Sequence, residues 1–206
     1  GGFHIYAPLL PGHGTSPSDL NNQSWKDWVG AVEEIISDVC SKFSDVYIGG
    51  ESMGGVLSCL IASRNQNIKK IVLFSPALKV KNLGFTRLIR LFKNYIPKST
   101  ANKNEMHEIF PWQGYKVNPT QAAYQLLKLQ KTTSKLLPSI SQPVLIFNGL
   151  QDRTIATESA MLVYMKINSI KKELVHLRKT GHTIILDQEF DFVARKTLEF
   201  LIDIPN

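Results

Sequence analysis

The stretch YIGGESMGGV (47–56) decides the fold of this chain. Its central residues GESMG (50–54) fit the pattern G-x-S-x-G, which carries chemical meaning where a strand precedes the serine and a helix follows it. DVYIGG (45–50) has the apolar, β-branched composition of a strand, and MGGVLSCLIASR (53–64) continues as a helix. The stretch predicts a tight turn that presents Ser52 in a strained backbone, with glycine needed two positions to either side of it.

Strands and helices alternate on either side of this turn. Apolar runs that end in loops predict further strands at FHIYAP (3–8), IKKIVLFSPAL (68–78), QPVLIFNGLQD (142–152) and KKELVHL (171–177). Helical spacing of apolar residues predicts helices at 24–43, 157–167 and 188–204, the first capped by Ser24 with Asp27 three residues on. LLPGHGTSPSDL (9–20) has the composition of a loop. Such alternation requires parallel pairing, so we expect an α/β fold with helices on both faces of the sheet.

The alternation breaks once, between Val80 and about Leu137. No strand is predicted there, but GFTRLIRLFKNYI (84–96) and TQAAYQLLKLQKTTSKLL (120–137) are amphipathic and flank the polar PKSTANKNEMHE (97–108). We interpret this part as a helical cap over the carboxyl ends of the strands, where open α/β sheets bind ligands. The expected division is a core at 1–79, the cap at 80–137 and the rest of the core at 138–206.

Composition argues against a membrane-spanning protein and against a nucleic-acid-binding protein. No apolar run approaches the roughly 20 residues that cross a bilayer. The net charge of +7 comes from scattered basic residues, and no nucleic-acid recognition motif accompanies them, so we expect no nucleic-acid partner. Arg87, Arg90 and Lys93 alone coincide with an amphipathic pattern, which predicts a solvated basic face, with weak lipid-interface contact as the minority interpretation. Cys40 and Cys59 lack the close spacing of a metal-binding or redox pair, so we expect them to be buried free thiols. Free thiols favour a reducing compartment, and we therefore expect a cytoplasmic location.

A serine nucleophile needs a base, usually histidine, that is itself oriented by a carboxylate. His182 in KTGHTIILDQE is the best candidate among five histidines, because Gly181 lets the loop turn after the last strand. His13 in PGHG is the runner-up. The other three are placed within predicted strands, where a structural role is expected, or in the polar middle of the insertion: His4, His176 and His107.

Asp152 in FNGLQDRTI is the expected acid, since it lies in a loop directly after a predicted strand. Asp187 competes with it, but its place at the start of the last helix is explained by capping of that helix. Ser52, Asp152 and His182 thus each follow a predicted strand, in the chain order nucleophile, acid, base.

These segments resemble the α/β-hydrolase superfamily, and within it the bacterial carboxylesterases and monoacylglycerol lipases. Five segments are similar to those enzymes in sequence and in their order along the chain: YAPLLPGHGTSPSDL, SWKDWV, GGESMGG, LQDRTI and GHTIILDQE. The resemblance implies Ser52, Asp152 and His182 as nucleophile, acid and base, and hydrolysis of short- to medium-chain acyl esters or monoacylglycerols. It implies no metal or organic cofactor and a small ester or lipid as the binding partner.

Two departures from the family accompany the resemblance. Glu51 places a carboxylate beside the nucleophile, and we expect it to be turned away from the pocket and paired. Family members also begin with further strands and a histidine-glycine loop that donates one of two N–H groups to the oxyanion. We expect those strands and that donor to be missing from this chain, which leaves the backbone N–H of Met53. Losing one such donor typically costs about 2.7–4 kcal/mol of transition-state stabilisation.

The sequence leaves several functions open. A serine esterase is the expected activity, with the acyl site lined by apolar residues of the insertion: Leu88, Ile89, Phe92, Leu126 and Leu127. Thioesterase, amidase and acyltransferase reactions use the same three residues. A catalytically impaired fragment or a binding module is the alternative from another class. Acyl length, alcohol group and oligomeric state are not specified by the sequence.

Overall fold

A computed structural model describes residues 2–98 and 114–202. Its helices are α1 (Pro17–Asn22), α2 (Trp25–Lys42), α3 (Met53–Ala62), α4 (Thr86–Ile89), α5 (Thr120–Leu136), α6 (Glu158–Lys166) and α7 (Phe190–Ile202). Its strands are β1 (Val46–Glu51), β2 (Ile68–Phe74), β3 (Tyr95–Pro97), β4 (Val117–Pro119), β5 (Val144–Gly149) and β6 (Lys172–Leu177). None of the helices in these described ranges is long and apolar enough to cross a membrane.

The central sheet has the strand order β1-β2-β5-β6, and every neighbouring pair is parallel. These are the four strands predicted at 45–50, 68–78, 142–152 and 171–177. Because parallel strands end at the same edge, the segments that follow β1, β5 and β6 lie close together. The predicted α/β architecture is therefore confirmed.

Side chains of β2, β5 and β6 alternate between two cores, as the two-residue period of a strand requires. Ile71 and Leu73 of β2 pack with α2, α3, α5 and α6 in the larger core. Val72, which points to the other face, packs with Val193 of α7 and with Phe147 of β5 in the smaller core. Both faces of the sheet are thus covered by helices.

The start of α2 has the predicted capping arrangement. Ser24 is the N-cap residue, and its backbone N–H donates to Oδ2 of Asp27 at 2.7 Å. This hydrogen bond is the largest cause that lowers the pKa of the Asp27 carboxyl. The negative charge also lies in the first turn, where the helix dipole favours it.

The amino-terminal segment differs from the prediction. Residues 3–8 do not form a strand, because they make no ladder with any strand that the structure describes. Ring contacts hold the segment instead: Phe3 lies edge-on to Tyr47 and His4 packs on Phe43. Ile5 remains 85% exposed. An apolar run becomes a strand only where another strand satisfies its backbone, and β1 does not do so here.

The loop predicted at 9–20 contains the start of α1. Pro17 occupies the first turn of this helix, and Ser16 is its N-cap, with its hydroxyl accepting the Asp19 N–H at 3.1 Å. Serine, proline and aspartate are common in loops, but in this order they also form a helix start. The prediction of a loop was wrong for this part.

The insertion contains two strands that were not predicted. β3 and β4 pair antiparallel, with Tyr95 opposite Pro119. Helical structure in 84–96 ends at Ile89, because the carbonyl of Asn94 accepts the Thr120 N–H at 3.0 Å and draws the chain out beside β4. α5 is confirmed at its predicted place, whereas most of the polar segment 97–108, including His107, lies outside the described residues.

Where the insertion leaves the core, it is bonded to the loop that holds Asp152. Val80 forms an antiparallel bridge with Ile155. The Ala156 N–H donates to the Lys79 carbonyl at 3.0 Å. The first residues of the insertion and the acid loop therefore form one hydrogen-bonded unit.

α5 packs deeply against the core. Its Leu129 is fully buried in the larger core, and Nε2 of Gln130 donates to the Ala77 carbonyl at 2.6 Å. At its start, Oδ1 of Asn21 accepts the N–H groups of Gln121 and Ala122, at 2.9 and 3.2 Å. A residue of α1 thus caps α5, which ties the insertion to the amino-terminal part of the chain.

Both cysteines are free thiols. Cys59 is buried in the larger core, and burial raises the pKa of its thiol to about 12. Cys40 is half-buried and packs against the same core. Their predicted behaviour as small apolar side chains fits these positions.

Candidate active site

Ser52 occupies the one residue between the end of β1 and the start of α3. Its φ of 54° and ψ of −115° are unfavourable for a residue with a side chain. Hydrogen bonds hold this backbone: the Ser52 N–H donates to the Phe74 carbonyl at 2.9 Å, and the Ser52 carbonyl accepts the Ala77 N–H at 3.0 Å. The predicted strained turn is confirmed.

One of the two predicted glycines, Gly50, is required for the turn, and a second close approach lies at a glycine that was not predicted. A Cβ at Gly50 would lie 2.2 Å from the carbonyl carbon of Gly54, so no larger residue fits. A Cβ at Gly54 would meet nothing within 4 Å, so the expected steric need at that position was wrong. The second close approach is at Gly55, where a Cβ would lie 3.1 Å from Pro76.

His182 lies in the loop after β6, between the serine and the acid. Its Nε2 is 3.0 Å from Oγ of Ser52, and its Nδ1 is 2.8 Å from Oδ2 of Asp152. The side chain of His182 is 22% exposed and that of Asp152 is 4% exposed. The structure therefore brings the three predicted residues into one hydrogen-bonded line, which is buried at Asp152 and partly exposed at His182 and Ser52.

Asp152 is held as a carboxylate. Its Oδ1 accepts the N–H groups of Thr154 and Ile155, each at 2.8 Å, which leaves Oδ2 for His182. Burial acts to raise the pKa of this carboxyl, but the hydrogen bond and charge of His182 and the two backbone N–H groups outweigh it and lower the pKa. The charged form can therefore orient the imidazole.

The start of α3 offers a donor beside Ser52. Met53 is the first residue of α3, and the first N–H groups of a helix have no acceptor within the helix. The positive end of the helix dipole lies at the same place.

Glu51 is paired with the loop that carries His182. Its Oε1 accepts the Ile185 N–H at 3.4 Å. This contact agrees with the expectation that the carboxylate beside the nucleophile has a partner.

The competing residues have other contacts. Asp187 does not cap α7, which begins at Phe190; its carboxylate accepts the Gly181 N–H at 2.7 Å instead. The predicted position of Asp187 close to the last helix is correct, but its side chain points to Gly181 and not to the helix.

The remaining described histidines contact residues other than Ser52 and Asp152. Nδ1 of His13 lies 3.3 Å from the Pro11 carbonyl, and its ring packs on Trp28. His4 and His176 also contact residues outside this line.

Gly149 is a site residue that sequence reasoning missed. It ends β5, and a Cβ there would lie 2.1 Å from the Gly181 carbonyl oxygen and 2.7 Å from that of Thr180. The loop that carries His182 therefore rests directly on the Gly149 backbone. The only signal in the sequence is a glycine at the end of an apolar strand, shortly before Asp152.

Within residues 2–98 and 114–202, no group of three or more His, Cys, Asp or Glu side chains is arranged to hold a metal ion. The polar groups that converge near Ser52 are a histidine, a carboxylate and a helix N-terminus. This donor set suits acyl transfer through a covalent serine intermediate.

A family comparison agrees with this geometry. The sequence pattern of the family described as serine aminopeptidase, S33 (Hydrolase_4) matches residues 1–189. The chain belongs to this family. The predicted resemblance to α/β-hydrolases is thereby confirmed at the level of family and fold.

Two bacterial relatives of this S33 family member align along nearly its whole length. A thermostable monoacylglycerol lipase from Bacillus sp. (strain H-257) is 29% identical over 204 residues, which cover 97% of this chain and 79% of the relative. A carboxylesterase from Bacillus subtilis (strain 168) is 28% identical over 207 residues, which cover 97% of this chain and 81% of the relative.

Solved structures show the same fold. A structure described as LipS and LipT, two metagenome-derived lipolytic enzymes, has a TM-score of 0.82 at 23% identity, over 93% of this chain and 79% of the other. A soluble variant of monoglyceride lipase from Saccharomyces cerevisiae has a TM-score of 0.75 at 13% identity, over 93% and 73%. At such identities the likeness concerns the fold alone.

Proposed function

We propose that this chain is a serine carboxylic-ester hydrolase that acts through an acyl-enzyme on short- to medium-chain acyl esters or monoacylglycerols. The observation that carries the proposal is the line from Oγ of Ser52 through His182 to Asp152, with contacts of 3.0 and 2.8 Å. The substrate class is supported by the bacterial relatives, a monoacylglycerol lipase and a carboxylesterase.

The first half of the reaction acylates Ser52. His182 Nε2 takes the hydroxyl proton while Oγ bonds to the ester carbonyl carbon, and the carbonyl oxygen becomes an oxyanion. The Met53 N–H donates to this oxyanion. When the tetrahedral intermediate collapses, the bond to the alcohol oxygen breaks and His182 gives the proton to the leaving alcohol.

The second half releases the acid. Water attacks the acyl carbon while His182 takes one of its protons, and the second collapse returns that proton to Oγ of Ser52. Asp152 accepts the Nδ1–H of His182 in both halves, which fixes the tautomer and stabilises the imidazolium. The lowered pKa of Asp152 keeps this partner charged at neutral pH. The reaction consumes one ester and one water, and it leaves Ser52, His182 and Asp152 in their starting states.

The test compares Ser52→Ala with wild type on p-nitrophenyl esters and on monoacylglycerols of increasing chain length. We expect kcat to fall by about 10⁶-fold, as it does where such a serine is removed from a similar catalytic unit. Ser41→Ala is the matched control, because its hydroxyl donates to the Asp38 carbonyl on the exposed end of α2. Equal rates for Ser52→Ala and wild type would refute the proposal.

Other outcomes would replace the proposed substrate class. The family description names an aminopeptidase, so aminoacyl p-nitroanilides belong in the same assay. Turnover of these amides alone, or of acyl thioesters alone, would make the chain a peptidase or a thioesterase with the same three residues. If a fluorophosphonate probe labels neither this chain nor a version extended upstream of Gly1, a binding role is favoured. Comparing the labelling of this chain with that of the extended version also tests whether an upstream segment supplies the second oxyanion donor, which stays a prediction.

We also propose a weak contact with a lipid interface, which an exposed apolar surface on the insertion supports. We call it the cap surface; it consists of four residues that are each more than 60% exposed, Phe85, Leu88, Leu91 and Phe92. This exposure favours a surface role for Leu88 and Phe92 over the expected lining of the acyl site. Arg87 and Lys93 are exposed beside them and would attract anionic headgroups. Arg90 was wrongly placed on this basic face, since it stacks on Tyr124 at 4.1 Å.

Co-sedimentation with phosphatidylglycerol vesicles tests this contact. Binding is expected to weaken with salt, with Phe92→Ser and with neutralisation of Arg87 and Lys93. Neutralisation of Lys42, which pairs with Asp38 on α2, serves as the charge control. Binding that none of these changes affects would remove the cap surface from the proposal.

We propose the cytoplasm as the compartment. Both cysteines are free thiols, which suits a reducing environment. Recovery of the protein in a periplasmic or secreted fraction of the source cells would refute this assignment.

A further inference from the structure

Asp187 is a buried carboxylate in the loop region that carries His182, and it takes no part in the reaction described above. It is 2% exposed. Its Oδ2 accepts the Gly181 N–H and its Oδ1 accepts the Gln188 N–H, each at 2.7 Å. Hydrogen bonds from N–H groups to a charged carboxylate are among the stronger ones in proteins. Since Gly181 directly precedes His182, one of these bonds fixes the peptide that leads into the histidine.

Glu189 holds the same loop two residues earlier. Its Oε2 accepts the Lys179 N–H at 2.8 Å and the Thr180 hydroxyl at 2.7 Å. On the opposite side, the Thr180 carbonyl accepts the N–H of Gln151, the neighbour of Asp152, at 3.0 Å. The segment before His182 is therefore bonded both to the segment after it and to the acid loop.

These contacts bear on the position of the imidazole. His182 must keep Nε2 within 3.0 Å of Ser52 and Nδ1 within 2.8 Å of Asp152 at once. Its loop has no neighbouring strand beyond β6 in the described sheet to hold it, because β6 is an edge strand. Thr180 is fully buried, so water cannot replace a lost partner there.

We propose that Asp187 is a positioning residue for His182, with Glu189 as its second support. The proposal rests on the proposed function, since it assigns Asp187 a role in that reaction through His182. The carboxylate touches neither the substrate nor the reacting atoms. It holds the Gly181 peptide so that the imidazole meets the serine and the acid together, and its loss should reduce kcat rather than substrate binding.

The variants Asp187→Ala and Asp187→Asn test the proposal. Alanine leaves both N–H groups without an acceptor, whereas the asparagine oxygen can accept only one of them. Because a misplacement of about 1 Å can cost about 100-fold, we expect kcat to fall by about 100-fold for alanine and about 10-fold for asparagine. KM should stay within about twofold. Asp191→Asn is the matched control, since Asp191 is an exposed carboxylate in the first turn of α7.

A second measurement separates positioning from a general loss of folding. Asp187→Ala is combined with His182→Ala, and the residual rate is measured on the folded fraction. If Asp187 acts only through His182, its removal should have no further effect once the histidine is gone. Equal losses of rate in both backgrounds would overturn the proposal, as would a rise in KM with kcat unchanged. If Asp187→Ala does not fold, the asparagine variant carries the same comparison.

Labelling of Ser52 by a fluorophosphonate distinguishes failure of this inference from failure of the proposed function. Wild type that is labelled but hydrolyses no ester would refute the ester substrate, and the labelling rates of the Asp187 variants would still decide the positioning role. A labelling rate of Asp187→Ala equal to that of wild type would refute the positioning role alone. If neither wild type nor the version extended upstream of Gly1 is labelled, both proposals fall.

Discussion

Gly149→Ala should displace the histidine loop without touching a reacting group. The new Cβ would lie 2.1 Å from the Gly181 carbonyl oxygen, and real Cβ atoms essentially never approach another heavy atom within 3.0 Å. The loop must therefore move by about 0.9 Å. A shift of that size at His182 would stretch its 3.0 Å contact with Ser52 beyond hydrogen-bonding distance. We expect kcat to fall by about 100-fold, or about 2.7 kcal/mol in the barrier.

The assay is steady-state hydrolysis of p-nitrophenyl butyrate, with urea unfolding as the measure of stability. KM should change little, and the free energy of unfolding should fall by about 1–3 kcal/mol from overpacking. Gly30→Ala is the control, because a Cβ at this helical position meets nothing within 4 Å. It should keep full activity and gain about 0.5–1 kcal/mol of stability. A folded Gly149→Ala protein with kcat within threefold of wild type would refute the reasoning.

Three further predictions concern other contacts. The pKa of Asp152 is lowered below 3.8, so the charged carboxylate stabilises the fold above pH 3.8. As the pH falls below 3.8, the free energy of unfolding should decrease more steeply for wild type than for Asp152→Asn. Parallel curves for the two proteins would contradict this prediction. Lys70→Met removes the buried ammonium that donates to the carbonyls of Phe200 and Leu201, and should cost about 1–3 kcal/mol in urea unfolding without altering kcat. Asn21→Ala removes the cap of α5 and should cost about 1 kcal/mol by the same measurement, whereas Asn21→Asp, which keeps an acceptor, should cost less.

The parts of the site that the sequence predicts are those with local signals. Ser52, Asp152 and His182 each follow an apolar strand, and parallel strands bring their ends together whatever the details of packing. Gly149 carries no such signal. Its importance comes from the Gly181 carbonyl, more than 30 residues away in the chain, and a contact between two backbones leaves no pattern in either segment.

The wrong predictions about the fold have a common physical cause, which is competition from contacts between residues distant in sequence. Residues 3–8 have strand composition but no pairing partner among the described strands. Tyr95 and Ile96 end a segment with helical spacing, but they pair with β4. Asp187 was assigned to the nearest helix, although its carboxylate reaches back to Gly181. In each case local preference was correctly recognised and tertiary structure overrode it.

The bridge between Val80 and Ile155 limits how chimeric enzymes can be built from this chain. An insertion taken from a relative and joined at 79 and 138 would remove the partner of the acid loop along with α5. Junctions after Asn82 and before Thr120 would keep the bridge, and they would leave Leu129 in the core. Substrate preference could then be exchanged between relatives while the geometry around Asp152 stays that of the recipient.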